Sequence, residues 1–352
     1  TILKGSDLTN ANLSGVDLSG KDLTRAKLTE SDLSDTVLTS SILSHADLSY
    51  LDLTGTKLVG VILAHANLSN ANLSGIDMSR SLLKDTNLSN ADLSHTNLSS
   101  SLLSRVYLTN ADIRYADFTG SVLLEVDFTV IKDKNWDGVI IRATELSFTN
   151  LEGMDFAGKD LTLSILRFAK LKGTDFSNDV ILHGTNFILA DLEGTNFEGA
   201  NLSPKQTFNK LFKNKAHLSG LFQDQLTGGF KLAEELLHNH QSFASSAEVR
   251  GNDLFVEYFL FCNFNGANLE NTNFVNTELW ASFFVNAFLP NAVLSGADLT
   301  GANLTKANLE GANLTKANLY NANLKGANLG GANLEDAYLG NADLRGANLT
   351  KA

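Results

Sequence analysis

Along the last stretch of the chain, residues 296–352, a large apolar residue returns every fifth position: Leu299, Leu304, Leu309, and on to Leu344 and Leu349. Two positions before each stands Ala, and the position just before it is Asn or Asp, with Tyr338 as the one exception. A five-residue period matches neither the 3.6 of a helix nor the 2 of a flat strand. It fits a chain that turns a corner every five residues, with the large residue and the small one two before it pointing inward. The other three positions face outward. Successive coils then stack by backbone hydrogen bonds at about 4.8 Å. Asn or Asp beside each corner suits side chains that bond to nearby backbone and stabilise turns.

The same period organises most of the sequence. From Leu3 to Phe128 it runs unbroken for about 26 repeats, through Leu8, Leu13 and Leu18 to Leu123 and Phe128. It slips by three around Val130–Asp137, which reads as an outward-bulging corner where Trp136 either caps the bulge or takes an inward position. Inward positions resume at Ile141 and run to Phe176, slip by one at Ser177–Asp179, and continue from Leu182 to Leu202. Repeats of this kind define the architecture, because each unit buries its apolar face only against its neighbours.

The pattern A-(D/N)-L-x-x resembles the pentapeptide repeat family. That resemblance implies a right-handed quadrilateral β-helix with four repeats to a coil; the handedness and the square section come from it. The expected fold is an all-β solenoid of about 15 coils with a small α-helical insertion. Its blocks are residues 1–130, residues 131–202 after the extruded corner, an insertion over 203–250, and a third block over 251–352.

The insertion breaks the repeat. Phe208, Leu211 and Phe212, then Leu218, Leu221 and Phe222, show helical spacing. Ser203-Pro204 suits a helix start, and Gly228-Gly229 divides this run from a second one over 230–240. The segment is locally basic, with Lys205, Lys210, Lys213, Lys215, Lys231 and Arg250 outnumbering Asp224, Glu234, Glu235 and Glu248. The repeat resumes at Leu254 and Phe259, where outward positions are unusually apolar: Phe255, Tyr258, Leu260, Trp280, Phe283 and Phe288 among them. Leu260 and Trp280 are 20 residues apart and are expected to stack. A large apolar wall needs a cover, either the insertion or a partner.

One more file departs from the rule. On one face the Asn/Asp position reads Ile42, Ile62, Leu82, Leu102 and Val122, one coil apart each time. Single aliphatics on a surface are ordinary; five in a file suggest a dimer or partner contact, or simply a ladder that packs on itself. Beside it run Arg25, His45, His65, Asp85, Arg105 and Glu125. His45, His65 and Asp85 could in principle hold a transition metal, but a mixed-sign file on a solvated face is the simpler reading.

Composition then narrows the function. A formal charge of −12 disfavours direct nucleic-acid binding or attachment to an anionic membrane, and no apolar run is long enough to span a bilayer. The single cysteine, Cys262, excludes an internal disulfide framework and sits in an inward small position. No nucleophile–base pair, phosphate loop or cofactor-binding motif stands out, so the chain reads as non-enzymatic, with no cofactor and a cytoplasmic location. The expected function is a protein–protein interaction scaffold. The candidate contact residues are Ile42, Ile62, Leu82, Leu102, Val122, Trp136, Trp280, Phe283 and Phe288. The resemblance supplies an alternative, since some members mimic duplex DNA and bind type II topoisomerases, including those conferring quinolone resistance. About half of the 39 acidic residues occupy the Asn/Asp position that the fold itself favours, which dilutes any acidic face.

Overall fold

A computed structural model describes residues 3–200, Leu202 and 262–352. It divides into two compact units, Thr1–Asn150 and Leu151–Ala352. In both, each five-residue step contributes one residue to a parallel bridge and two to a corner.

In the first unit the bridges join residues 20 apart, as in Ile42 with Ile62 and Asn67 with Asn87, so four sides make one coil. The bridge is a two-way exchange: Leu8 donates its N–H to Lys27 O at 2.8 Å, and Lys27 donates to Ser6 O at 3.0 Å. Each corner is a four-residue turn. Ala11 N–H closes one such turn on Leu8 O at 3.0 Å, and Asn10 inside it has φ +59°. A positive φ at this place favours Gly and Asn. The residue before each inward position caps the corner that follows it: Asn12 Oδ1 accepts the Ser14 N–H at 3.0 Å, and Asp22 Oδ1 that of Thr24 at 2.9 Å.

The inward positions explain themselves by size and by hydrogen bonding. Leu43, Leu63 and Leu83 are fully buried. The small inward position mostly holds Ala, Ser or Thr, and most of the hydroxyls find a carbonyl: Thr86 Oγ1 donates to Leu63 O, and Thr96 Oγ1 to Leu73 O, both at 2.8 Å, whereas Ser41 and Ser282 Oγ find none. A buried hydroxyl without such a partner would cost roughly 1–3 kcal/mol.

Near residue 130 the bridging step lengthens to 23, as in Asp117 with Ile140 and Val122 with Glu145. The extra residues make a short 3-10 turn, Lys132–Lys134. Trp136 does not cap this corner. It is buried, 4% exposed, in an inward position with its ring 4.9 Å from that of Phe128. Gly138 is required beside it, because a Cβ there would lie 2.0 Å from the Tyr115 ring.

The second unit repeats the plan with aromatic filling. Phe156, Phe176, Phe197 and Phe274 stack in one column at 4.9, 5.0 and 4.9 Å between ring centroids. Phe187, Phe264 and Phe284 form another, at 5.0 and 4.8 Å. Two departures from the 20-residue step occur. A step of 21, as in Ile165 with Asn186, is absorbed where Asn178 and Asp179 both take positive φ. Then Asn186, Asp191 and Asn196 pair with Asn263, Asn268 and Asn273, a step of 77. The described ladder runs to Leu202 and resumes at Cys262. The expected helices over 203–250, and the inward positions expected at Leu254 and Phe259, lie outside the described residues. Beyond Phe284 the inward positions return to Leu, and the 20-residue step is regular to Asn328 with Asn348.

Candidate functional site

The aliphatic file of the first unit is continuous. Ile42, Ile62, Leu82, Leu102 and Val122 are joined in sequence by parallel bridges, and the column ends in Asp22 on one side and Glu145 on the other. The first four are half-buried and Val122 is buried. Most of their neighbours are small, Ser40, Gly60, Ser100 and Gly120 at the preceding corner and Ser44, Ala64 and Ser104 just after, but Leu82 is flanked by Arg80 and Lys84, and Val122 is followed by Leu124. The result is an apolar strip bounded by the carboxylates Asp22 and Glu145.

The file at the next corner is an ordered chain of contacts rather than a scatter of charges. His45 and His65 stack with ring centroids 4.7 Å apart and planes 9° from parallel. His65 Nδ1 lies 3.7 Å from Asp85 Oδ2. Arg105 grips Asp85 with two bonds, Nε to Oδ1 at 2.8 Å and Nη2 to Oδ2 at 3.0 Å. That guanidinium holds the Asp85 carboxyl below its ordinary value, first through the hydrogen bond and then through its charge. Each of His45, His65, Asp85 and Arg105 occupies a corner with φ between +52° and +58°. Among the described residues no group of three or more His, Cys, Asp or Glu side chains is placed to hold a metal.

The other expected contact residues are dispersed. Trp136 lies in the core and offers no surface. In the second unit Phe283 is half-buried and Phe288 is 44% exposed. They are five residues apart and so lie on consecutive sides of one coil, not in one file. Each is flanked above and below by Asn: Phe283 by Asn263 and Asn303, Phe288 by Asn268 and Asn308. Trp280 is a half-buried corner residue of the same coil. Leu260, its expected stacking partner, lies outside the described residues, and the coil below is joined by the 77-residue step.

Three arrangements went unread in the sequence, although the 20-residue step would have found the first. His95 and Tyr115 stack at 4.7 Å, and Tyr320 and Tyr338 at 5.7 Å. The third is an anchor for the bulged corner. Asp112, 8% exposed, accepts from Arg114 Nε at 2.8 Å and Nη2 at 2.5 Å, with Lys132 Nζ 3.6 Å away. Arg114 lowers the Asp112 carboxyl from its usual value. Cys262 is fully buried with its Sγ donating to Leu182 O at 2.8 Å, and burial pushes its thiol far up. A thiol held protonated in this way is a poor nucleophile.

Two shallow hollows of the described surface measure about 150 Å³ beside Asp92 and Asp112 and about 400 Å³ beside Lys57 and Asp77. Neither brings together a nucleophile and a base. Among the described residues no helix is long and apolar enough to cross a membrane.

Comparison with known proteins agrees with the repeat. The family model for pentapeptide repeats matches residues 6–129, 144–203 and 261–352 in overlapping copies. No curated protein matches the chain significantly. Among solved structures, the pentapeptide repeat protein Rfr23 from the cyanobacterium Cyanothece 51142 is 43% identical over 24% of this chain, with a TM-score of 0.24. The chain spans 58% of the length of Rfr23. HetL, a pentapeptide repeat protein involved in heterocyst differentiation regulation from the cyanobacterium Nostoc sp. strain PCC 7120, is 25% identical. That match covers 97% of this chain and 86% of HetL, with a TM-score of 0.21. A trypsin-treated form of QnrB1, a plasmid-mediated fluoroquinolone resistance protein, is 18% identical over 51% of this chain and 81% of its own, at 0.20. None of the three superimposes closely.

Proposed function

Because the chain belongs to the pentapeptide repeat family, whose members fold as right-handed quadrilateral β-helices and are generally non-enzymatic, we propose that it is a protein–protein interaction scaffold. The observation that carries this reading is the strip Ile42–Val122. Five aliphatic side chains stand in a file where the repeat elsewhere puts Asn or Asp. Contiguous apolar surface of this kind marks contact with another macromolecule, and the face is too flat for a small molecule, whose sites are concave. The protein acts by presenting a rigid face, with no chemistry of its own.

The alternative is a DNA-mimicking regulator of a type II topoisomerase. It calls for a concentrated acidic face. Against it, many of the carboxylates are engaged in capping their own corners, as Asp17 caps Ser19 and Asp77 caps Ser79, both at 2.9 Å. In the column that holds both, Val37 and Lys57 interrupt the acids. A supercoiling assay separates the readings: a topoisomerase regulator acts at near-stoichiometric amounts, whereas a scaffold for other proteins has no effect at large excess.

The direct test places a photoreactive residue at Leu82 and, as a control, at the exposed Lys325. Capture of a protein from Leu82 but not from Lys325 is the expected result. Equal capture from both, or from neither, refutes the assignment of this face.

A further inference from the structure

Resting on the scaffold reading of this face, we infer that one occupant of the strip is a second copy of this chain, docked antiparallel about a two-fold axis between Leu82 and Leu102. The argument comes from the charges beside the strip. Two copies placed face to face with their coil axes parallel would set the file Arg25–Glu125 of each against the opposite edge of the other. That edge is Gly20, Ser40, Gly60, Arg80, Ser100 and Gly120, and it offers almost no counter-charge. With the axes antiparallel, the two charged files lie on the same edge and run in opposite directions. Isologous pairing of this kind makes every contact twice.

Register then follows from sign. Like charges directly opposite one another destabilise a pairing, and opposite charges support it. An axis at Leu82 sets Asp85 against Asp85 and His65 against Arg105. An axis at Leu102 sets Arg105 against Arg105 and Asp85 against Glu125. An axis midway between them sets Asp85 of each copy against Arg105 of the other, and His65 against Glu125. The bidentate Asp85–Arg105 pair already present in one copy then meets its own reverse, giving four charges of alternating sign. The strip pairs at the same time: Leu82 with Leu102, and Ile62 with Val122. An axis between Ile62 and Leu82 also opposes unlike charges, Arg25 with Glu125 and His65 with Asp85. Like the midway axis it leaves one strip residue facing an acid, Val122 facing Asp22 where the midway axis has Ile42 facing Glu145. It is poorer because it sets His45 against Arg105 and forgoes the central Asp85–Arg105 exchange.

Small residues beside Ile42, Ile62 and Leu102 leave room for the facing strip, and Arg80 and Lys84 beside Leu82 come opposite Ser100 and Ser104. The file is about 20 Å long at the spacing of neighbouring strands, and its contact area falls well short of the roughly 800 Å² per partner of a standard interface. The dimer is therefore weak and reversible, and is sought at micromolar to millimolar chain concentrations.

Sedimentation equilibrium of the full chain across that range tests the inference. The expected result is a monomer–dimer equilibrium that Ile62→Asp with Leu82→Asp abolishes while the far-ultraviolet circular dichroism is unchanged. Charge variants test the register without touching the strip. Arg105→Asp leaves two acids on that edge of a copy, and Asp85→Arg leaves two guanidinium groups. Each variant alone is expected to be monomeric, while a mixture of the two forms heterodimers, although both lack the internal pair. Geometry is read by oxidation: a chain carrying Ile62→Cys cross-links to one carrying Val122→Cys and not to itself. A full chain that stays monomeric, a charge-variant mixture that does not associate, or an Ile62→Cys homodimer overturns the inference. If the chain is monomeric while a photoprobe at Leu82 still captures another protein, only this inference fails; if there is no capture either, the scaffold reading fails with it.

Discussion

Phe197 is the side chain on which the core of the second unit can be tested most sharply. It is fully buried. Its ring stacks on Phe176 at 5.0 Å and on Phe274 at 4.9 Å, and meets Phe187 and Phe264 edge-on, both at 5.9 Å. Replacing a buried Phe by Ala costs about 3–5 kcal/mol, set by how little the surroundings collapse into the cavity. Here collapse is hindered, because the walls are backbone ladders on four sides and stacked rings above and below. Each aromatic pair adds about 0.5–1.5 kcal/mol beyond the area it buries, so Phe197→Ala belongs at the top of the range, about 4–5 kcal/mol. Phe197→Leu keeps most of the filling and places in this position the residue used by most other coils; its cost is about 1–2 kcal/mol. Urea unfolding followed by far-ultraviolet circular dichroism measures both, with hydrogen exchange at the Asn196 and Asn273 amides as a local check. In a stacked repeat the loss concentrates in adjoining coils. A cost below about 2 kcal/mol for Phe197→Ala, or equal costs for Ala and Leu, would refute the stacked column as a source of stability.

Two further predictions concern the corners. Gly301 has φ +67° and a Cβ added there would meet nothing within 4 Å, so Gly301→Ala isolates the backbone cost of a left-handed corner, about 1 kcal/mol; Lys316→Gly, at φ +59°, is expected to gain a smaller amount, and thermal unfolding measures both. Asp112 has its carboxyl lowered chiefly by Arg114, so its ion pair stabilises the fold above the ordinary carboxylate value of about 3.9 and is lost as pH falls through the lower folded value; the difference between wild type and Asp112→Asn is expected to be about 1 kcal/mol at neutral pH, given the half-exposed Arg114, and to shrink progressively as pH falls below the ordinary carboxylate value.

The inward positions were legible in the sequence because a five-residue corner leaves the chain no choice: Leu43 and Leu63 are buried wherever the coil closes, whatever lies outside. The same arithmetic placed the strip and its charged neighbours, since residues 20 apart stack wherever no residue is inserted. It could not resolve Trp136. A slip of three left Ile131 and Trp136 both available to point inward, and both are buried. The tight fit of Gly138 under Tyr115 belongs to the three-dimensional packing of the bulge and has no periodic signature. Leu260 and Trp280 mark where the arithmetic stops applying. The 20-residue step assumes an unbroken stack, and at this coil the described partners are 77 residues apart.

Departures from the Asn/Asp position are informative because that position has a structural role. A carboxylate or amide there accepts the N–H of the following corner, as Asp117 does for Thr119 at 2.8 Å, a bond worth roughly 1 kcal/mol. An aliphatic side chain cannot accept it. In exchange, Ile62 or Leu82 buries part of its surface against the residues one coil above and below, which at about 25 cal/mol per Å² returns a similar amount. For folding alone the exchange is close to neutral, so the repeat gains little from five such residues in one file. What does change is the face presented to solvent: a row of hydrated amides and carboxylates becomes a strip of partly exposed hydrocarbon, with a favourable free energy still to be gained by whatever covers it.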